Sequence, residues 1–135
     1  MFLKSTTSLS LFLLITLLAF SHIALVRCAD DGAKVTATFN GLSGTMTITQ
    51  TEETIVQMNG KFDKGFTDTD PENYTLEFVM QGRQIVINFR ELGATITPPG
   101  TTPYDFTGNA FLEDVAGPVL SIILNGQILD QAIAS

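Results

Sequence analysis

The feature that most constrains this chain is a two-residue alternation of apolar and polar side chains, in short runs separated by turn residues. Lys34 to Phe39 places Val35, Ala37 and Phe39 on one face, and Asn40-Gly41 follows as a turn signal. Gly44 to Gln50 resumes the period with Met46 and Ile48 inward, and after Thr51 to Glu53 the segment Ile55 to Asn59 alternates again up to Gly60. Tyr74 to Met80 and Arg83 to Phe89 flank Gln81-Gly82, and Val119 to Leu124 and Gln127 to Ile133 flank Asn125-Gly126, so each pair reads as a tight hairpin. Phe106 to Phe111 is a weaker strand. Lys61 to Asn73 reads as a loop and Thr95 to Pro103 as an exposed connection. Leu and Ile in Val115 to Ala134 allow helix, but Pro118 and Asn125-Gly126 oppose a continuous one. Seven or eight short strands without helical periodicity predict an all-β fold, an antiparallel Greek-key β-sandwich or small barrel.

The amino-terminal segment has a different character. Lys4 precedes an uncharged run from Leu9 to Phe20, and Val26 and Cys28 are spaced for cleavage before Ala29, so residues 1–28 read as a secretory signal peptide and 29–135 as one β-sandwich domain. An uncleaved anchor is opposed by Ser21 and His22, and a lipid-anchored Cys28 by Arg27. The expected compartment is extracellular, with no membrane association after cleavage.

The only histidine, His22, and the only cysteine, Cys28, both fall in that segment. Its removal leaves no imidazole and no thiol. That excludes Ser-His-Asp and Cys-His catalysis, zinc or copper sites built on His and Cys, haem ligation and disulfides within one chain. Residues 29–135 carry 5 basic and 14 acidic groups. A charge of this sign disfavours nucleic acid and anionic membranes as partners.

Two segments carry a family resemblance. Val35 to Gln50, with a glycine turn leading into Gly44-Thr-Met-Thr-Ile-Thr, resembles the first hairpin of the copper,zinc superoxide dismutases, and Gly117 to Ala134 resembles that family's last hairpin. The resemblance implies that family's sandwich, with an immunoglobulin-like sandwich as the alternative. The family's His-x-His cluster would fall near Tyr74 to Met80, where every histidine is absent. Its disulfide cysteines are missing too, as is the arginine of its Gly-x-Arg, replaced after Gly117 by Pro118 and Val119. What the resemblance implies here is a metal-free, non-catalytic relative without dismutase activity, and no cofactor is expected.

Other candidate residues lie in loops. Asp68, Asp70 and Glu72 alternate as hard oxygen donors suited to Ca²⁺ or Mn²⁺, but without an EF-hand's sixth-position glycine and twelfth-position acid, so a solvated acidic loop is the expected reading. Asn73-Tyr74-Thr75 is a glycosylation sequon. Glu52-Glu53, Asp68/Asp70 and Glu113-Asp114 are carboxylate pairs with nothing to set them across a cleft. Most phenylalanines read as core, while Phe62 and Phe66, among glycine and charge, read as exposed interaction residues. Arg83 and Arg90 bracket one strand as surface charge that resists strand pairing. The expected function is a binding module for an unidentified protein or extracellular ligand, contacted through the loops Lys61 to Asn73 and Leu92 to Tyr104. The alternatives are a Ca²⁺-dependent protein using Asp68, Asp70 and Glu72, and a carrier holding a lipid or other hydrophobic ligand between its sheets.

Overall fold

The structure is a computed structural model and describes residues 31–135. The expected signal peptide, with His22 and Cys28, lies outside the described residues.

The alternating runs form β1 (Lys34–Phe39), β2 (Gly44–Glu52), β3 (Ile55–Phe62), β4 (Tyr74–Met80), β5 (Arg83–Asn88), β8 (Tyr104–Asn109), β9 (Val119–Leu124) and β10 (Gln127–Ile133). A 3-10 turn, Pro71–Asn73, precedes β4, and a single helical turn, α1 (Leu112–Val115), precedes β9. The strands make two antiparallel four-stranded sheets, β1-β2-β3-β8 (sheet 1) and β10-β9-β4-β5 (sheet 2). The chain crosses from β3 to sheet 2, returns to set β8 beside β3, and crosses again to set β9 beside β4. This is the Greek-key route.

Two further strands raise the total among the described residues to ten. β6 (Ile96–Thr97) and β7 (Gly100–Thr101) form a ribbon inside the segment expected to be an exposed connection. The correction has a packing cause: Ala94, Ile96, Gly100 and Thr101 are buried, and the Thr101 hydroxyl accepts the Phe62 N–H at 3.2 Å.

The two hairpins expected at Gln81-Gly82 and Asn125-Gly126 form as the residues dictate. Gln81-Gly82 (φ 51° and 74°) and Asn125-Gly126 (φ 48° and 83°) have positive φ at both central positions, the type I′ geometry whose twist matches the strands it joins.

The core lies between the sheets. Ala37, Phe39, Met46, Ile48, Val56 and Met58 face inward from sheet 1, and Tyr74, Leu76, Phe78, Leu120 and Ile122 from sheet 2. Each large side chain fully buried in this way contributes about 1.5–3 kcal/mol. Gly60 pairs with Met46 on one side and Tyr104 on the other, and a Cβ there would collide with the Thr45 carbonyl and the Tyr104 hydroxyl. The glycine leaves room for Tyr104, whose ring stacks on Phe62 at 6.1 Å between centroids. Besides Thr101, Gln50 is the buried polar residue among those described: its amide donates to the carbonyls of Glu52, Ile55 and Ala110 and its oxygen accepts the Leu112 N–H at 2.6 Å, pinning the β2–β3 turn to the start of α1.

One side of the sandwich is closed. Thr36 and Ser135 exchange backbone hydrogen bonds at 3.1 and 3.3 Å, and the Asp130 carboxylate accepts the Leu42 N–H at 3.2 Å, so β1 and the end of β10 are tied together. On the other side β8 and β5 are the outer strands of their sheets.

Candidate interaction face

The side chains singled out as exposed contacts are core residues. Phe62 and Phe66 have no solvent exposure, and with Phe39, Tyr74, Phe89 and Tyr104 they form one aromatic cluster with centroid separations from 4.7 to 6.1 Å. Gly65, at φ 90°, turns the chain so that Phe66 points inward, where its N–H donates to the Pro99 carbonyl at 2.9 Å. The Lys61–Asn73 loop is therefore anchored by its aromatic residues, and the Leu92–Tyr104 segment likewise buries Leu92, Ala94, Ile96 and Tyr104.

The acidic loop is knit together internally. The Asp68 carboxylate accepts the Asp70 N–H at 2.9 Å and the Asn73 side-chain amide at 2.8 Å, and the Asp70 carboxylate caps the 3-10 turn through the Glu72 N–H at 2.9 Å. The Asp70 N–H first, and then the Asn73 amide, hold the Asp68 carboxyl below its usual value. Arg90 closes the loop with an ion pair to Glu72 at 3.1 Å and a longer one to Asp70 at 4.0 Å. Arg90, an exposed charge just past the end of β5, thus ties the loop to that strand's end. Asp68, Asp70 and Glu72 do not converge on a cation: among the described residues, no three His, Cys, Asp or Glu side chains are placed to hold a metal. Beneath this loop the Tyr74 hydroxyl accepts both the Thr67 N–H at 3.0 Å and the Asp68 N–H at 2.8 Å. This is the tyrosine corner of Greek-key sandwiches, holding the crossover from sheet 1 to sheet 2. Asn73 is partly exposed at the end of that crossover.

Two of the depressions at the surface are lined by described residues. One of about 400 Å³ is lined by Thr38, Asn40, Ser43, Thr45, Lys61 and Asp63, with Lys61 paired to Asp63 at 3.2 Å. The other, about 210 Å³, lies among Thr54, Met80, Gln81, Ala110 and Asp114.

The outer faces of the two sheets differ in chemistry. Sheet 1 presents Thr36, Thr38, Thr45, Thr47, Thr49 and Thr107 with Gln57, Asn59 and Asp105, a hydrophilic surface. Sheet 2 presents Val79, Val86, Val119, Ile128 and Ile133, each 47 to 58% exposed, and the five come from all four of its strands. Glu77 is the one carboxylate on that face among the described residues, and it accepts hydrogen bonds from Thr75 at 3.2 Å and Gln84 at 3.0 Å. Asp130, the acidic residue of β10, turns to the edge to bind Leu42. The five stand among the uncharged Thr75, Gln84, Ser121 and Gln131 of the same face, and a mixed face so low in charge, on a chain otherwise rich in acid, has the composition of a contact surface.

Sequence reasoning passed over this face, although a signal existed. Tyr74, Leu76 and Phe78 set the inward phase of β4, which leaves Val79 outward. The unbroken Ile85-Val86-Ile87 requires one apolar side chain to point away from the core. No protein-family model, no curated protein and no solved structure matches this chain.

Proposed function

We propose that this chain is a small secreted binding module without catalytic chemistry of its own, on a sandwich that resembles the superoxide dismutase scaffold without its metal ligands. The observation that carries the reading is the outer face of sheet 2, where Val79, Val86, Val119, Ile128 and Ile133 stand exposed around a single carboxylate. Covering such a side chain at an interface gains about 1 kcal/mol for the half still in water. The inward positions of β4, where the resemblance would put imidazoles, hold Tyr74, Leu76 and Phe78, so hydrocarbon fills that part of the interior. The signal-peptide reading of residues 1–28 supplies the compartment. In that compartment Asn73 is the glycan acceptor, and a glycan on its amide nitrogen leaves one N–H to bind Asp68.

The partner is a protein or extracellular ligand presenting a complementary apolar patch. Photo-crosslinking in the medium of the producing cells tests this, with a benzophenone side chain at Val119 on sheet 2 or at Thr47 on sheet 1. A discrete adduct from position 119 and none from position 47 supports the reading. Adducts from position 47 alone would move the contact surface to sheet 1 and overturn it.

A further inference from the structure

The free edge of sheet 2 carries an inference beyond that reading, because β5 is built to pair with itself. In the β4–β5 hairpin the Met80–Arg83 pair closes a two-residue turn, so Arg83, Ile85 and Ile87 exchange their backbone hydrogen bonds with β4. The N–H and C=O groups of Gln84 and Val86 then point away from the sheet. Among the described residues, neither backbone has a partner on that side, and both side chains are exposed. Arg83 is the one charge on the strand, at the turn end, and from Gln84 to Asn88 there is no charge, no proline, no glycine and no bulge, the devices by which exposed edges are normally blunted. β8, the free edge of sheet 1, carries Asp105 and Gly108.

We propose that β5 pairs antiparallel with β5 of a second copy, joining the two sheets into one of eight strands about a two-fold axis. In the register that puts Gln84 opposite Val86 of the other copy, Val86 opposite its Gln84 and Ile85 on the axis beside its own equivalent, the free groups of Gln84 and Val86 are all paired. Arg83 then lies opposite the uncharged Ile87. On the outer face each Val86 sits between Glu77 of its own copy and Gln84 of the other. The two Glu77 side chains are three strand spacings apart, roughly 14 Å, beyond the Debye length at physiological salt. The negatively charged chain thus meets itself where it has almost no charge, and the exposed valines of both copies join one continuous face.

Sedimentation of the purified chain over increasing concentration is the test, with Gln84→Pro and Val86→Lys as variants. Gln84→Pro removes an outward N–H that β4 does not use, and Val86→Lys sets charge at the junction on an exposed position. The expected result is a concentration-dependent rise from one to two copies in wild type and at least tenfold weaker association in each variant. Amide exchange at Gln84 and Val86 should slow with concentration while that along β8 does not. A wild-type chain that stays single at its highest soluble concentration overturns the proposal, as does undiminished association of whichever variant folds, or growth beyond two copies. The purified chain dimerises or not whatever the crosslinking partner is, so the two readings fail separately.

Discussion

Tyr74 and Tyr104 enter the same aromatic cluster and end in opposite hydrogen-bonding situations. The Tyr74 hydroxyl satisfies two backbone N–H groups, so Tyr74→Phe orphans both and should cost about 2 kcal/mol in chemical denaturation. The Tyr104 hydroxyl is buried with no partner among the described residues, and burial pushes its phenol well above the ordinary value. Tyr104→Phe removes an unsatisfied group and should leave stability unchanged or raise it by about 1 kcal/mol, and a loss larger than that would show a hydrogen bond in solution. Phe62→Ser and Phe66→Ser should each cost about 4 kcal/mol, a large share of a small domain's total stability. The neighbours of Phe66 are Lys64, Gly65 and Asp68, which locally spell an exposed loop. Its burial is decided by Phe62, Tyr74 and Phe89, which reach it only through the fold, so no local pattern could reveal it.

Elements whose cause is local were the legible ones. The Gln81-Gly82 and Asn125-Gly126 hairpins follow from two residues each, and Gly126→Val, forcing a β-branched residue to φ 83°, should destabilise by more than 1 kcal/mol without moving the strands. The β6–β7 ribbon was hidden because only two residues on each side pair and their burial depends on Phe62 from another sheet. In the crossover before β4, the lowered Asp68 carboxyl makes the loop sensitive to acid in a defined direction. A depressed carboxyl stabilises the folded loop above the ordinary value of about 3.9 and loses that contribution as pH falls through the lowered value. The Asp70 amide proton should therefore titrate with a midpoint below 3.8 when followed by NMR, and a midpoint at or above it would mean that the Asp68 hydrogen bonds do not persist in solution.

At the scale of the whole molecule, alternation and turn residues were enough to specify an all-β sandwich, because each strand's inward set is written in its own two-residue period. The arrangement of strands into β1-β2-β3-β8 and β10-β9-β4-β5, and the separation of a threonine face from a valine and isoleucine face, come from the pairing of distant segments. The chain buries a single aromatic core, closes one side through Thr36 and Ser135, and leaves the outer face of sheet 2 uncovered. Methyl NMR of the dilute chain with a soluble paramagnetic agent measures the exposure of that face directly. Strong attenuation is expected for the methyl signals of Val79, Val119, Ile128 and Ile133, with those of Ile48, Val56 and Ile122 spared. Protection of the first group equal to that of the second would contradict it, placing those side chains under cover and removing the surface on which the proposed function rests.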